Sequence, residues 1–375
     1  MPPPPPTVLQ VLPALGAGGV ERGTLEIARA LVEAGGRALV ASSGGPLVAA
    51  LEAAGGRHFE LPLDRKSPAA LVAQAAALRA LVRAEGVRII HARSRFPAWA
   101  ALMAARATGM PFVTTYHGSY NEGFPGKRLY NSVMARGGRV IAISEHIAAL
   151  VRARHGVGPD RLRLIPRGMD PVRFDPDAVE PARLEALRKD WALPPGRPVI
   201  LLPGRLTRWK GQAVLLRAVS LLPEPRPLVV LAGDAQGRDA YRAELEALGM
   251  EVGATVRFPG PVEDMPAALL LADVVVHAST DAEAFGRTVI EAQAMGRPVI
   301  ASDLGGPRET VEHGVTGWLV PPGDPAALAG AIRHALSLAG PARLALGAAS
   351  RAAVLARYTT RAMQDATLAV YRELA

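Results

Sequence analysis

The stretch Ala282 to Gly296, AEAFGRTVIEAQAMG, carries two glutamates, Glu283 and Glu291, on either side of Phe285, Gly286, Arg287 and Thr288. Apolar positions from Phe285 through Val289, Ile290, Ala292 and Met295 recur at helical spacing until Gly296 ends the pattern, and Ser279, Thr280 and Asp281 are helix-starting types. A helix that begins near Gly286 places Glu291 about a turn and a half inside it, at roughly 1.5 Å rise per residue, and leaves Glu283 in the loop beyond its tip. The N-terminus between them offers unpaired backbone N–H groups and the positive end of the helix dipole, and Gly286 lets an anion come close to the backbone. A phosphate fits there, whereas carboxylates beside it repel it unless they face hydroxyls. A sugar nucleotide, with a diphosphate in the middle and hydroxyl-rich rings at both ends, meets both demands. The alternative is that the two acids only favour the helix's first turns.

Other residues could serve the same chemistry. Val199 to Leu202 reads as a strand, followed by Gly204-Arg205, Lys210-Gly211 and a helix rich in Leu and Val. From such a loop Arg205 as a fork and Lys210 as a point charge can hold one diphosphate, unless they are simply two exposed cations. His117 stands where the strand Pro111 to Thr115 meets a loop, and Gly118 follows it. Near the start, Leu15 to Gly19 forms a glycine loop between a strand, Val8 to Leu12, and a helix, Val20 to Glu33. A dinucleotide fingerprint fails there twice: Glu21 occupies the position of the third glycine, and the next strand, Arg37 to Ala41, ends in Ser42 and Ser43 rather than in an acid. The loop is then either a backbone platform at a strand's carboxyl end or an ordinary tight turn.

The E-x7-E pattern with Ala284-Phe285-Gly286 inside it resembles the signature of the retaining glycosyltransferases of family 4, with Ala284 where the family usually has Gly. Thr115-x-His117-Gly118, Gly204-Arg205-x4-Lys210-Gly211 and Arg167-Gly168-Met169-Asp170, in which Arg167 replaces the usual Asn, extend the resemblance over almost the whole chain. It implies the GT-B fold, two Rossmann-like parallel-sheet α/β domains facing across a cleft. It also implies roles: Glu283 on the transferred sugar, Glu291 on the ribose hydroxyls, His117 on the sugar near the reacting carbon, and Arg205 and Lys210 on the donor phosphates. Gly18 and Gly19 are expected to face the donor phosphate and acceptor, and Phe258 to Val262 to line the base through backbone groups. The expected catalytic set is therefore His117, Glu283, Arg205 and Lys210. The donor set adds Gly18, Gly19, Phe258, Val262, Phe285, Gly286, Arg287, Thr288 and Glu291. The implied donor is a nucleoside diphosphate sugar, uridine-linked, used as co-substrate without a further cofactor and without a metal. Asp175-Pro176-Asp177 spells the D-x-D metal motif of a different glycosyltransferase fold, but it lies in a Pro-rich stretch away from any strand end. Rival readings are a sugar-nucleotide epimerase of the same fold and a non-catalytic nucleotide-sugar sensor.

These residues need two sheets to hold them. A chain of 375 residues with alternating strand and helix patterns suits two α/β domains. The expected layout is a Pro tail at 1–6, an acceptor domain at 7–168, a linker at 169–196 and a nucleotide-sugar domain at 197–357, with a last helix at 358–375 crossing back to the first domain. The chain has no cysteine, so disulfides and thiolate metal sites are excluded and a reducing cytoplasmic interior is expected. The uncharged start, Met1 to Val20, lacks a basic segment and is broken by prolines, which argues against an export signal. Residues 1–190 hold 25 Lys and Arg against 16 Asp and Glu, and the remainder 18 against 18, so the whole net charge of +9 belongs to the N-terminal half. Such a face suits an anionic acceptor or an anionic membrane surface, placing the protein at the inner face of the membrane in lipopolysaccharide or other envelope glycan synthesis, unless it is only an Arg-rich solvated face. Scattered arginines without an aromatic stacking motif argue against nucleic acid. Lys127 and Arg128 are placed toward the acceptor, which is a glycan or a lipid-linked molecule.

Overall fold

The computed structural model describes residues 6–16 and 18–375, so the expected tail falls outside it except for Pro6. The chain divides into two compact units, residues 1–166 with 360–375, and residues 167–359.

The first unit is built on seven strands: β1 (Val8–Val11), β2 (Ala38–Ser42), β3 (Arg57–Glu60), β4 (Ile89–Ala92), β5 (Phe112–Tyr116), β6 (Arg139–Ala142) and β7 (Leu162–Leu164). They pair in the order β3-β2-β1-β4-β5-β6-β7, all parallel. Helices cover both faces of such a sheet, which is why β1, β2, β4 and β5 are buried along their whole length and read as near-continuous apolar runs. Ile27 and Leu31 of the helix Gly19–Glu33 pack under Val8, Val40 and Ile89, together with Leu368 and Tyr371 of the C-terminal helix Thr360–Arg372. Full burial of each such side chain contributes roughly 2 kcal/mol. The C-terminal helix is also tied in by polar groups. Gln364 donates to the Glu26 carbonyl at 2.8 Å, and the Tyr371 hydroxyl lies 2.6 Å from Nδ1 of the buried His91.

The second unit has six strands: β8 (Val199–Pro203), β9 (Leu228–Ala232), β10 (Val256–Gly260), β11 (Val274–His277), β12 (Val299–Ser302) and β13 (Trp318–Val320). Their order is β10-β9-β8-β11-β12-β13, again all parallel. Both sheets therefore reverse winding direction beside their first strand, between β1 and β4 and between β8 and β11. In open α/β sheets ligands bind outside the carboxyl ends of the strands at such a switch point.

The stretch 169–196, expected as a linker, is instead part of the second unit. Phe174, Trp191 and Leu193 are buried, Arg183 makes a two-pronged ion pair with Asp264 at 2.6 and 2.8 Å, and Arg351 donates to the Phe174 carbonyl at 2.9 Å. Its many prolines and charges read as a linker, but three large apolar residues anchor it. No helix among the described residues is long and apolar enough to cross a membrane.

Candidate active site

The two loops that leave β8 and β11 meet at the second switch point. The β8 loop passes Gly204, Arg205 and Lys210 and turns at Gly211, whose φ of 73° suits glycine. A Cβ at Gly211 would run into the carbonyl of Ala278, the residue after β11, so the absence of a side chain lets the two loops lie in contact. The Thr280 amide completes the junction by donating to the Trp209 carbonyl at 2.7 Å.

This junction brings together side chains 73 residues apart in sequence. Lys210 Nζ lies 2.5 Å from Glu283 Oε2, with the two side chains only 13% and 20% exposed. His277, the last residue of β11, places Nε2 3.4 Å from the same oxygen and is itself buried. Burial works to raise the Glu283 carboxyl, but the His277 hydrogen bond and the Lys210 charge overcome it and hold the group at about 2. At neutral pH Glu283 is therefore a hydrogen-bond acceptor for hydroxyls and not a proton donor.

The Glu283 backbone is fixed from below. The Gly306 amide donates to the Glu283 carbonyl at 2.8 Å, and a Cβ on Gly305 or Gly306 would collide with the backbone of Glu283 or Phe285. Phe285 is buried edge-on against Tyr358, their ring centroids 5.7 Å apart. Gly286, with φ 85°, then caps the helix Arg287–Ala294, which begins shortly after Glu283 in the chain; the Val289 amide donates to the Gly286 carbonyl at 3.0 Å, and the helix's earlier amides precede that bond. Thr288 lies in the helix's first turn. Glu291 lies one turn further in, nearly buried, with Arg287 Nε 3.6 Å from its carboxylate.

The other expected residues are placed as follows. Arg205 shares the β8 loop but is exposed and reaches Gln236 Oε1 at 3.4 Å. Phe258 is on β10, under the Arg242 guanidinium at 5.4 Å, and Val262 follows that strand. In the first unit, Gly18 caps the helix Gly19–Glu33 after β1, and both glycines are exposed. His117 follows β5, its amide 3.4 Å from the Tyr120 hydroxyl. Lys127 is held by Asn121 Oδ1 at 2.8 Å, and Arg128 donates to the Arg154 carbonyl at 3.1 Å.

The sequence reading did not single out His277. The signal was a polar residue in the last position of a buried strand, next to the loop bearing Glu283. Among the described residues no group of His, Asp and Glu is arranged to hold a metal ion. Asp175 of the D-x-D has structural partners, accepting from the Asp177 amide and pairing with Arg351 at 3.1 Å.

Known proteins resemble the chain along most of its length. The family model described as Glycosyltransferase Family 4 matches residues 17–173, and that described as Glycosyl transferases group 1 matches residues 184–353. A D-inositol 3-phosphate glycosyltransferase from Xylanimonas cellulosilytica is 35% identical over an alignment covering 88% of this chain and 87% of its own. The chain belongs to glycosyltransferase family 4. This family 4 enzyme is also similar to a glycosyltransferase from Rickettsia africae in its crystal structure, with a TM-score of 0.91, 34% identity and 98% of each chain covered. HepE of Anabaena, crystallised with UDP-glucose, gives a TM-score of 0.86 at 25% identity, covering 98% of this family 4 chain and 100% of its own.

Proposed function

We propose that this glycosyltransferase moves a sugar, with retention of anomeric configuration, from a uridine-linked nucleoside diphosphate sugar to a hydroxyl of a glycan or lipid-linked acceptor. The observation that carries the reading is the Lys210–Glu283 pair beside the Gly286-opened helix N-terminus. It sets a cation and backbone amides suited to a pyrophosphate next to an ionised acid suited to hydroxyls. The UDP-glucose bound by HepE supports the choice of uridine.

In this scheme Lys210, Arg205 and the amides after Phe285 stabilise the charge that develops on the leaving diphosphate, an electrostatic form of catalysis. Glu283 accepts hydrogen bonds from the transferred sugar, Glu291 from the ribose, and the Phe258–Val262 backbone from the base. Gly18 and Gly19 serve the donor phosphate, and His117 the sugar near its reacting carbon. The bond from the anomeric carbon to the phosphate oxygen breaks with its electron pair going to that oxygen. The acceptor oxygen then bonds to the same face of the carbon, and its proton passes to the leaving phosphate. No metal or further cofactor takes part.

The basic excess of the N-terminal half and the relatives named for D-inositol 3-phosphate favour an acceptor with an anionic group beside its hydroxyls. A lipid-linked acceptor in envelope glycan assembly, lipopolysaccharide included, would bring the enzyme to the inner face of the membrane. The test is incubation with a panel of UDP-, GDP- and ADP-sugars, with and without D-inositol 3-phosphate and lipid-linked acceptors. Released nucleotide is measured, product anomers are assigned by NMR, and EDTA is added in a parallel set. Nucleotide release that needs acceptor and survives EDTA supports the proposal. An altered sugar nucleotide without acceptor points to an epimerase, and binding without turnover to a sensor.

A further inference from the structure

Three arginines of the first unit face one cavity. Arg106, Ser132, Ala135, Arg136, His155 and Arg161 line a cavity of about 410 Å³, and no carboxylate is among them. Acids of this unit have partners of their own: Glu373 pairs with Arg139 and Arg163, and Glu122 with Arg154, while Asp160, next to Arg161 in the chain, acts on Arg163. None of Arg106, Arg136 and Arg161 forms an ion pair among the described residues.

Some of this charge has an internal use. Arg106 and His155 sit in the last turns of their helices, where a cation complements the dipole, and Arg161 Nη2 donates to the Ala135 carbonyl at 2.5 Å. That accounts for one N–H of the Arg161 fork, whereas its Nε is buried with no hydrogen-bond partner. Such a donor costs stability unless something accepts from it. Arg136 is held in place by the Trp99 ring at 5.1 Å and by Ser132 Oγ, 3.3 Å from its Nε. Burial lowers the affinity of His155 for a proton; Glu122 works against that, while the charges of Arg128 and Arg154 add to it.

We propose that this cavity is a phosphate-ester site separate from the donor site. A phosphate ester brings up to two negative charges and three acceptor oxygens, enough for the guanidinium forks, whereas the Ser132 hydroxyl already donates to the Leu129 carbonyl at 2.7 Å and serves to hold Arg136. The cavity also leaves room for part of the esterified group. Its lining residues lie on segments that lead into β5, β6 and β7, whereas Gly18, Gly19 and His117 lie on segments that leave β1 and β5. The site therefore anchors or regulates, and does not present the reacting hydroxyl. The phosphate ester is either a glycerophospholipid headgroup or a soluble sugar phosphate.

The experiment is calorimetric titration with inorganic phosphate at low salt, comparing wild-type protein with Arg106→Gln/Arg136→Gln and, separately, Arg161→Gln. The donor site is untouched in each variant, so the difference belongs to the cavity, and cooperative thermal unfolding without phosphate shows that each variant folds. Phosphate affinity is expected to fall about tenfold or more in both variants, from loss of charge-assisted hydrogen bonds. Co-sedimentation with phosphatidylglycerol vesicles, against phosphatidylcholine vesicles, identifies the source. Weakened co-sedimentation in the variants assigns the site to a lipid headgroup, and unchanged co-sedimentation with weakened phosphate binding assigns it to a soluble ester. Equal phosphate affinity in wild type and variants, or no phosphate binding by the wild type, overturns the proposal.

Discussion

Lys210 and Glu283 come from loops after different strands, yet their charged atoms are 2.5 Å apart at the point where the second sheet reverses direction. Each is the other's counter-ion until a donor arrives, when the proposed pyrophosphate takes up the lysine and the sugar hydroxyls take up the acid. Residues that act as one unit do not contribute additively. Lys210→Ala and Glu283→Gln should each lower kcat/KM for the donor by roughly ten to a few hundredfold, the scale of one charged hydrogen bond. The double variant should lose far less than the product of the two. A steady-state double-mutant cycle checks this, and full additivity would show that the pair does not work together.

The depressed Glu283 pKa makes a pH-dependent contribution to stability. The folded-state value of about 2 lies below the ordinary 4.5, so the contribution is fully present above the ordinary value and is lost as pH falls toward 2. The difference in unfolding free energy between wild type and Glu283→Gln should hold steady from neutral pH to about 5 and then shrink on acidification. His277→Leu removes a hydrogen bond that opposes the burial penalty. It should therefore raise the Glu283 pKa and move that loss to higher pH, together with the acidic limb of the donor kcat/KM profile. Denaturant melts and rate profiles between pH 2 and pH 7 report both, and a His277 variant with an unshifted acidic limb would reduce that residue to packing.

Much of this arrangement was legible in the sequence. Buried parallel strands announce themselves as short runs of branched apolar residues, so β1, β2, β5 and β8 lie within a residue or so of where the sequence places them. Gly286 and the spacing of Glu283 from Glu291 located the helix start, because capping chemistry is local. What stayed hidden depends on contacts distant in sequence. Nothing near Glu283 says that Lys210 is its partner, and nothing near Gly211 says that the Ala278 carbonyl lies against it. The helix Met265–Leu271 carries a local signal, since Asp264 caps it and Pro266 stands in its first turn. Residues 169–196 were misread because composition favours a linker, and only the pockets that receive Phe174 and Trp191 make the stretch part of a core.

Gly211→Ala tests the junction of the two loops. The substitution meets a left-handed backbone and a carbonyl oxygen at once, and neither can move without displacing β11 or the lysine loop. Destabilisation of roughly 2–4 kcal/mol is expected from the strain and the clash combined. Donor-induced thermal stabilisation should fall as well, because Lys210 precedes the glycine directly. Gly16→Ala, where an added Cβ meets nothing within 4 Å, is the control and should leave the melting temperature nearly unchanged. Equal melting temperatures for the two variants would mean that the loops have room to part.

Tyr371→Phe probes how the C-terminal helix is fastened to the first unit. His91 is fully buried in β4, with Nδ1 2.6 Å from the Tyr371 hydroxyl and Nε2 2.7 Å from Thr115 Oγ1. Burial, with the Arg93 charge adding to it, keeps this imidazole neutral, and burial likewise keeps the tyrosine hydroxyl protonated. Removing the hydroxyl leaves a ring nitrogen of His91 without a partner where water does not reach, at a cost of about 1–3 kcal/mol. His91→Leu in the same background removes the orphaned nitrogen but takes the ring away from the buried Thr115 hydroxyl, so it should recover only a small part of that loss. Chemical denaturation of the single and double variants measures both effects. A Tyr371→Phe variant as stable as wild type would show that apolar packing alone holds the helix.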